Sequence, residues 1–160
     1  MMASHPFDLL VFDWEGTLAN PWASPLRPAL FPGVYEMLQE LKQVGFLLAI
    51  ATGKSRQGLA QAMQQLSVTT LFDMTCTADE SAPKPGPEML NSLITSLNVE
   101  SMRTLMIGDT TYDLEMANVL EVPTVAVTYG LHKNDALKKY HPLYCADDVS
   151  ALHQWLLFYA

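Results

Sequence analysis

Leu9-Leu10-Val11-Phe12 runs directly into Asp13-Trp14-Glu15-Gly16-Thr17, so an apolar stretch ends on two carboxylates, a glycine and a hydroxyl. A short apolar run of this kind has the length of a buried strand, which places Asp13 and Glu15 at its carboxyl end. A carboxylate there is costly unless a counter-charge, a metal or hydrogen bonds compensate it. The stretch therefore points to a phosphate and metal site rather than to core, and it requires partners from elsewhere in the chain.

Apolar runs alternate with segments of helical period along the rest of the sequence, the signature of a parallel sheet covered by helices. The expected fold is α/β, a Rossmann-like three-layer sandwich with a central parallel sheet of about five strands, at 8–13, 46–52, 71–76, 103–108 and 122–127. Val34, Met37, Leu38 and Leu41 share one helical face, as do Leu59, Ala62, Met63 and Leu66. Ser55 suits the N-cap of the second helix. Pro87 suits the first turn of a third, whose Leu90, Leu93, Ile94 and Leu97 point inward. A last helix from about Asp148 buries Val149, Leu152 and Leu156. Pro21, Pro25, Pro28 and Pro32 preclude a regular helix across 20–33, so that segment reads as an ordered, turn-rich excursion.

With 160 residues and 49% hydrophobic content, the chain is expected to form one domain, 1–160. Its formal charge of −8 disfavours a nucleic-acid partner, which needs a basic face. Lys54, Arg56 and Lys84 nevertheless fall beside the motifs below and suggest a local cationic pocket. No apolar run reaches the roughly 20 residues of a membrane span. The N-terminus, from Met1 to Pro6, lacks a basic segment followed by an apolar one, so no leader is expected. Cys76 and Cys145 have no metal or framework spacing and read as a reduced, cytoplasmic pair.

Polar residues recur at the strand ends. Thr52-Gly53-Lys54-Ser55 follows the second strand, where a hydroxyl and loop amides meet a helix N-terminus and can hold an anion. Pro83-Lys84-Pro85-Gly86-Pro87 holds a lysine in a stiff loop after the third. Gly108-Asp109-Thr110-Thr111-Tyr112-Asp113 follows the fourth and sets two carboxylates about one helical turn apart. Asp109 as a mere helix cap is the alternative, but that accounts for neither the glycine nor the second acid. Ligands in open parallel sheets collect where the strand order reverses. With right-handed crossovers, strand four lies beside strand one, and Asp13, Glu15, Asp109 and Asp113 converge as an oxygen-rich site suited to Mg²⁺. Thr52 and Lys84 then face them from the phosphate side.

This ordered set resembles the haloacid dehalogenase superfamily of phosphohydrolases, whose motifs read D-x-D-x-T, a strand-end Thr or Ser, a Lys, and an acidic pair such as G-D-x-x-x-D. Ala51-Thr52-Gly53-Lys54-Ser55 and Lys84-Pro85-Gly86-Pro87 look like its phosphoglycolate-phosphatase-like branch. The resemblance implies Asp13 as the nucleophile, forming an aspartyl-phosphate and also binding Mg²⁺. It implies Glu15 as a metal contact through its backbone carbonyl and as general acid, then base. Thr52, with Gly53 beside it, and Lys84 would hold the phosphoryl group, Asp109 would ligate the metal and Asp113 would support it. The implied substrate is a small phosphorylated metabolite or a phosphorylated macromolecule. A receiver domain carries similar residues, but there the lysine comes last, whereas Lys84 precedes the final acidic pair.

Two features depart from the family pattern. Glu15 stands where these phosphatases usually have Asp, which carries the carboxyl about an ångström further and puts proton transfer at risk. Slow turnover is therefore expected, and a non-catalytic binding or regulatory descendant is the competing reading. Between Thr17 and Gly33, related enzymes carry a helical cap domain, and here only the proline-rich segment stands. Capless relatives act on large substrates or are covered by a neighbouring subunit. Trp22 and Phe31 would line such a homo-oligomeric interface or pack on their own domain.

Overall fold

The computed structural model describes residues 5–160, so most of the segment bearing on a leader, Met1 to Ser4, lies outside the described residues. Six strands form one sheet: β1 (Leu9–Phe12), β2 (Leu47–Ala51), β3 (Met74–Cys76), β4 (Thr104–Gly108), β5 (Thr124–Val127) and β6 (Tyr144–Ala146). All pairings are parallel, in the order β3-β2-β1-β4-β5-β6. The helices are α1 (Val34–Gln43), α2 (Arg56–Gln65), α3 (Glu88–Leu97), α4 (Thr111–Val119), α5 (Asn134–Lys138) and α6 (Val149–Tyr159). The chain runs outward from β1 through β2 and β3, then returns to set β4 on the other side of β1, as the crossover rule requires.

Strand count is where the expectation falls short: there are six among the described residues, not about five. Tyr144-Cys145-Ala146 pairs with Val125-Ala126-Val127 at the sheet's edge. An edge strand has one neighbour and needs no long apolar run, so three residues suffice and leave little trace in the pattern. The strand expected over 71–76 begins only at Met74, because Thr69–Leu71 forms a 3-10 turn.

Alternation along β1 explains the three layers. Leu10 and Phe12 join one core with residues of α1, α2 and α6, while Leu9 and Val11 join the other with residues of α3 and α4. The expected helical faces are buried at Val34, Met37, Leu38 and Leu41, and at Leu59, Ala62 and Met63. Leu66, past the end of α2, packs against the same core while partly exposed. The Ser55 side chain accepts from Gly58 N at 3.0 Å and caps α2; Asp148 accepts from Ala151 N at 2.7 Å and caps α6.

The 20–33 segment is an ordered excursion closed at its base by an antiparallel bridge between Ala19 and Leu30. Asn20 N donates to Ala29 O at 2.8 Å and Phe31 N to Leu18 O at 2.9 Å. No helical domain stands between β1 and α1. Phe31 packs on its own domain, edge to face with Tyr129 at 4.9 Å, whereas Trp22 is 67% exposed. Cys76 and Cys145 are both free, and they lie in β3 and β6 at opposite edges of the sheet. No helix among the described residues is long and apolar enough to cross a membrane.

Leu152 of α6 is fully buried in the first core. Leu152→Ala is expected to lower unfolding free energy by about 2–5 kcal/mol in urea titration while the transition stays cooperative. A loss under about 1 kcal/mol would mean that α6 and β6 are not part of the cooperative core.

Candidate active site

The reversal of strand order falls between β1 and β4, and the loops leaving those two strands meet there. Asp13 N donates to Ile107 O at 3.0 Å, which fixes the first acid against β4. Asp13 is 7% exposed, and Asp109 and Asp113 are fully buried. One carboxylate oxygen from each of these three lies within 4.8 Å of the others.

Lys84 is the cation that makes this cluster possible. Its Nζ donates to Asp13 Oδ1 at 2.8 Å and to Asp113 Oδ1 at 2.5 Å. Burial alone would lower the lysine's pKa, but the Asp113 and Asp13 carboxylates outweigh it and hold the ammonium charged well above its usual range. Burial raises Asp13, Lys84 pulls it down and Asp109 beside it pushes it up again, with the balance at about 7. Burial and the charge of Asp13 likewise raise Asp113 against the pull of Lys84.

Each remaining acid has its own support. Asp109 Oδ1 accepts from Thr17 Oγ1 at 3.2 Å, and Oδ2 accepts from Leu131 N at 2.9 Å. Asp113 Oδ2 accepts from Thr110 N at 3.1 Å and from Thr110 Oγ1 at 2.9 Å. The helix cap is thus Thr110, in a reciprocal capping box with Asp113, and Asp109 is free of that duty. Glycines let the acids lie flush with the backbone: a Cβ at Gly16 or at Gly130 would overlap Asp109, and one at Gly108 would overlap Asp113. Gly16 also holds φ +89°, a conformation that disfavours any side chain.

Over the acids opens a cavity of about 370 Å³, lined among others by Asp13, Glu15, Thr52, Gly53 and Lys84. Thr52 Oγ1 accepts from Lys54 N at 3.1 Å, which leaves its O–H to donate into the cavity. Glu15 lines the cavity, but its carboxylate is not one of the clustered three. It takes the Lys54 Nζ donor at 2.9 Å and is half exposed.

The expected pocket cations need one correction. Arg56 does not face the site; it bonds Thr75 Oγ1 at 2.6 Å and Thr75 O at 3.0 Å, and pairs with Glu80. It braces the start of α2 against β3, because its side chain leaves the helix on the sheet side. Thr110, Gly130 and the Leu131 amide are the residues that the sequence reading passed over. A glycine three positions beyond β5 was the one cue to the last two.

Three carboxylates against one ammonium leave uncompensated negative charge in a buried place. An all-oxygen donor set with surplus charge fits a hard cation rather than zinc, which takes His and Cys. The family model for the haloacid dehalogenase-like hydrolase matches residues 26–127. The chain belongs to the haloacid dehalogenase-like hydrolases. It is 38% identical over 128 residues to the probable phosphatase IndB of Dickeya dadantii, covering 79% of this chain and 56% of that one. It is 31% identical over 128 residues to the phosphoglycolate phosphatase of Colwellia psychrerythraea, covering 79% and 57%. The chain therefore spans a little over half the length of these curated relatives. A crystal structure of a predicted phosphatase from Clostridium acetobutylicum superposes with a TM-score of 0.86 at 20% identity, over 94% of this chain and 98% of that one, a likeness of fold. The haloacid dehalogenase resemblance read from the motifs is borne out, together with its phosphoglycolate-phosphatase-like character.

Asp13 links the site to stability. Its folded value of about 7 lies above the ordinary 3.8, so the native state holds the proton more tightly than the unfolded chain does. In metal-free protein, stability is then lost as pH rises from about 4 through about 7. Asp13→Asn is expected to stabilise the protein by roughly 2–4 kcal/mol at pH 8 in EDTA, and far less at pH 4. Urea titrations at the two pH values check this, and an equal effect at both would rule out the buried charge as its cause.

Proposed function

We propose that the protein is a Mg²⁺-dependent phosphomonoester hydrolase acting through an aspartyl-phosphate on Asp13. The observation that carries this reading is Asp13 itself: a buried carboxylate held 2.8 Å from Lys84 Nζ at the floor of an open cavity. In that setting a carboxylate oxygen is oriented and its partner ammonium can neutralise an incoming phosphate. Asp13 and Asp109, with Asp113 behind them, would hold the Mg²⁺, and Glu15 would add its backbone carbonyl. The ion, when bound, offsets charge on the phosphoryl oxygens.

In the first step an Asp13 oxygen bonds to phosphorus while the bond from phosphorus to the ester oxygen breaks. The departing oxygen keeps the electron pair and takes a proton from Glu15. In the second step water attacks the same phosphorus, Glu15 accepts the water's proton, and the bond to Asp13 breaks to return the carboxylate and release phosphate. Thr52 donates a hydrogen bond to the phosphoryl oxygens, the Gly53 loop at the start of α2 adds its amides, and Lys84 offsets the gathering charge.

The Glu15–Lys54 contact favours slow proton transfer. A general acid must reach the leaving oxygen, and here the longer side chain is drawn toward Lys54 instead. Turnover should therefore favour good leaving groups.

Release of phosphate from p-nitrophenyl phosphate tests the mechanism: it should require Mg²⁺, stop in EDTA, and fall at least about 10³-fold in Asp13→Asn. Release that survives that substitution would remove Asp13 as nucleophile. Glu15→Asp should raise kcat about tenfold or more on poor leaving groups such as alkyl phosphates, and less on aryl ones. An unchanged kcat on both would show that the extra methylene does not limit the reaction.

A further inference from the structure

Beside the phosphate site lies a second cavity, of about 420 Å³, between the excursion over residues 19–29 and the outward face of α2. Glu15 and Lys54 border both cavities, so their ion pair stands on the boundary between them. The two cavities therefore adjoin, and the second is within reach of the remaining atoms of a phosphoester whose phosphate sits over Asp13. The volume falls in the range of ordinary small-ligand sites.

The lining has a definite chemistry. Apart from the Glu15–Lys54 pair, no charged side chain among the described residues faces it. Its uncharged polar side chains are Asn20, Ser24, Gln61 and Gln65, set among alanines, prolines, Trp14 and Leu26. Asn20 Oδ1 accepts from Trp22 N and Ser24 Oγ accepts from Leu26 N, which leaves the Asn20 amide and the Ser24 hydroxyl to donate. Gln61 and Gln65 are four residues apart on one face of α2, and each offers both a donor and an acceptor. Neutral donors and acceptors beside small apolar walls match the hydroxyls and C–H faces of a sugar or polyol. A carboxylate or second phosphate would find one cation there, already paired with Glu15 at 2.9 Å, and would lose hydration without a counter-charge.

We propose that this groove receives the leaving group and selects an uncharged, polyhydroxylated one of about hexose size over an anionic one. The proposal rests on the phosphohydrolase reading above. It assigns substrate selection to Asn20, Ser24, Gln61 and Gln65, contributed by a loop and a helix of this same domain.

The test compares kcat/KM of the Mg²⁺-loaded protein for a hexose 6-phosphate, a hexitol phosphate, phosphoglycolate, pyrophosphate and p-nitrophenyl phosphate. The two sugar esters should exceed phosphoglycolate and pyrophosphate by about tenfold or more. Gln61→Trp, which sets a ring across the groove from an exposed helical position, should cut the ratio of hexitol phosphate to p-nitrophenyl phosphate at least about tenfold. The double change Gln61→Ala and Gln65→Ala, which opens the groove and removes its amides, should cut it about threefold to tenfold. Hydrolysis of p-nitrophenyl phosphate with the anionic substrates equal to or above the sugar esters overturns this proposal and leaves the phosphatase reading standing. The same holds if both variants leave the ratio unchanged. No Asp13-dependent release from any of the five overturns both.

Discussion

One ammonium shared by two buried carboxylates is the interaction on which the rest of this molecule turns. Lys84 reaches Asp13 and Asp113 at once, and Asp109 stands within the same small volume without that help. Removing the lysine would leave these acids buried without a counter-charge, which is far more costly than breaking a surface pair. The lysine alone does not balance three acids, however: burial first, and Asp109 beside it, hold the pKa of Asp13 above its ordinary value in spite of Lys84. The site is thus built to gain stability from a further positive charge, whether a proton or a metal ion. Affinity for a cation and strain in its absence are two aspects of one electrostatic fact.

The fold makes that arrangement reachable. Parallel pairing of β1 with both β2 and β4 brings two strand ends to one point from distant parts of the chain. Gly16, Gly108 and Gly130 then bring the backbone close enough that Asp109 and Asp113 lie against main chain rather than side chains. Thr17 and Leu131 N donate to Asp109, and Thr110 together with Lys84 donates to Asp113. Packing and charge are coupled here: any residue that loosened the approach would also resolvate the carboxylates and relax Asp13 toward its ordinary value.

The legible part of the chain was the part in which local chemistry and long-range position agree. β1, β2 and β4 are continuous apolar runs because both their faces are buried, and polar residues follow each; with the crossover rule, four acids and Thr52, and Lys84 from the loop after β3, could be brought together, and of these acids only Glu15 carries its carboxylate out of the cluster. β6 escaped because an edge strand of three residues has no need of such a run. Arg56 was assigned to the pocket because proximity in sequence says nothing about which face of a helix a long side chain leaves from. Thr110 was hidden for a subtler reason: a capping threonine beside two aspartates reads as the lesser of three polar residues, although it is what orients Asp113.

Glu15 shows how one methylene redistributes labour within a site. Asp13 is locked by Lys84, but Glu15 reaches past the acids to Lys54 and so faces the second cavity as well as the first. A shorter acid would lie nearer the phosphate and leave Lys54 unpaired on the boundary, where it would attract an anionic leaving group. The longer one neutralises that lysine and makes the neighbouring groove effectively uncharged. On the proposed function, speed and selectivity are opposed at a single position: a shorter acid would serve proton transfer better but would free Lys54 to hold an anionic leaving group.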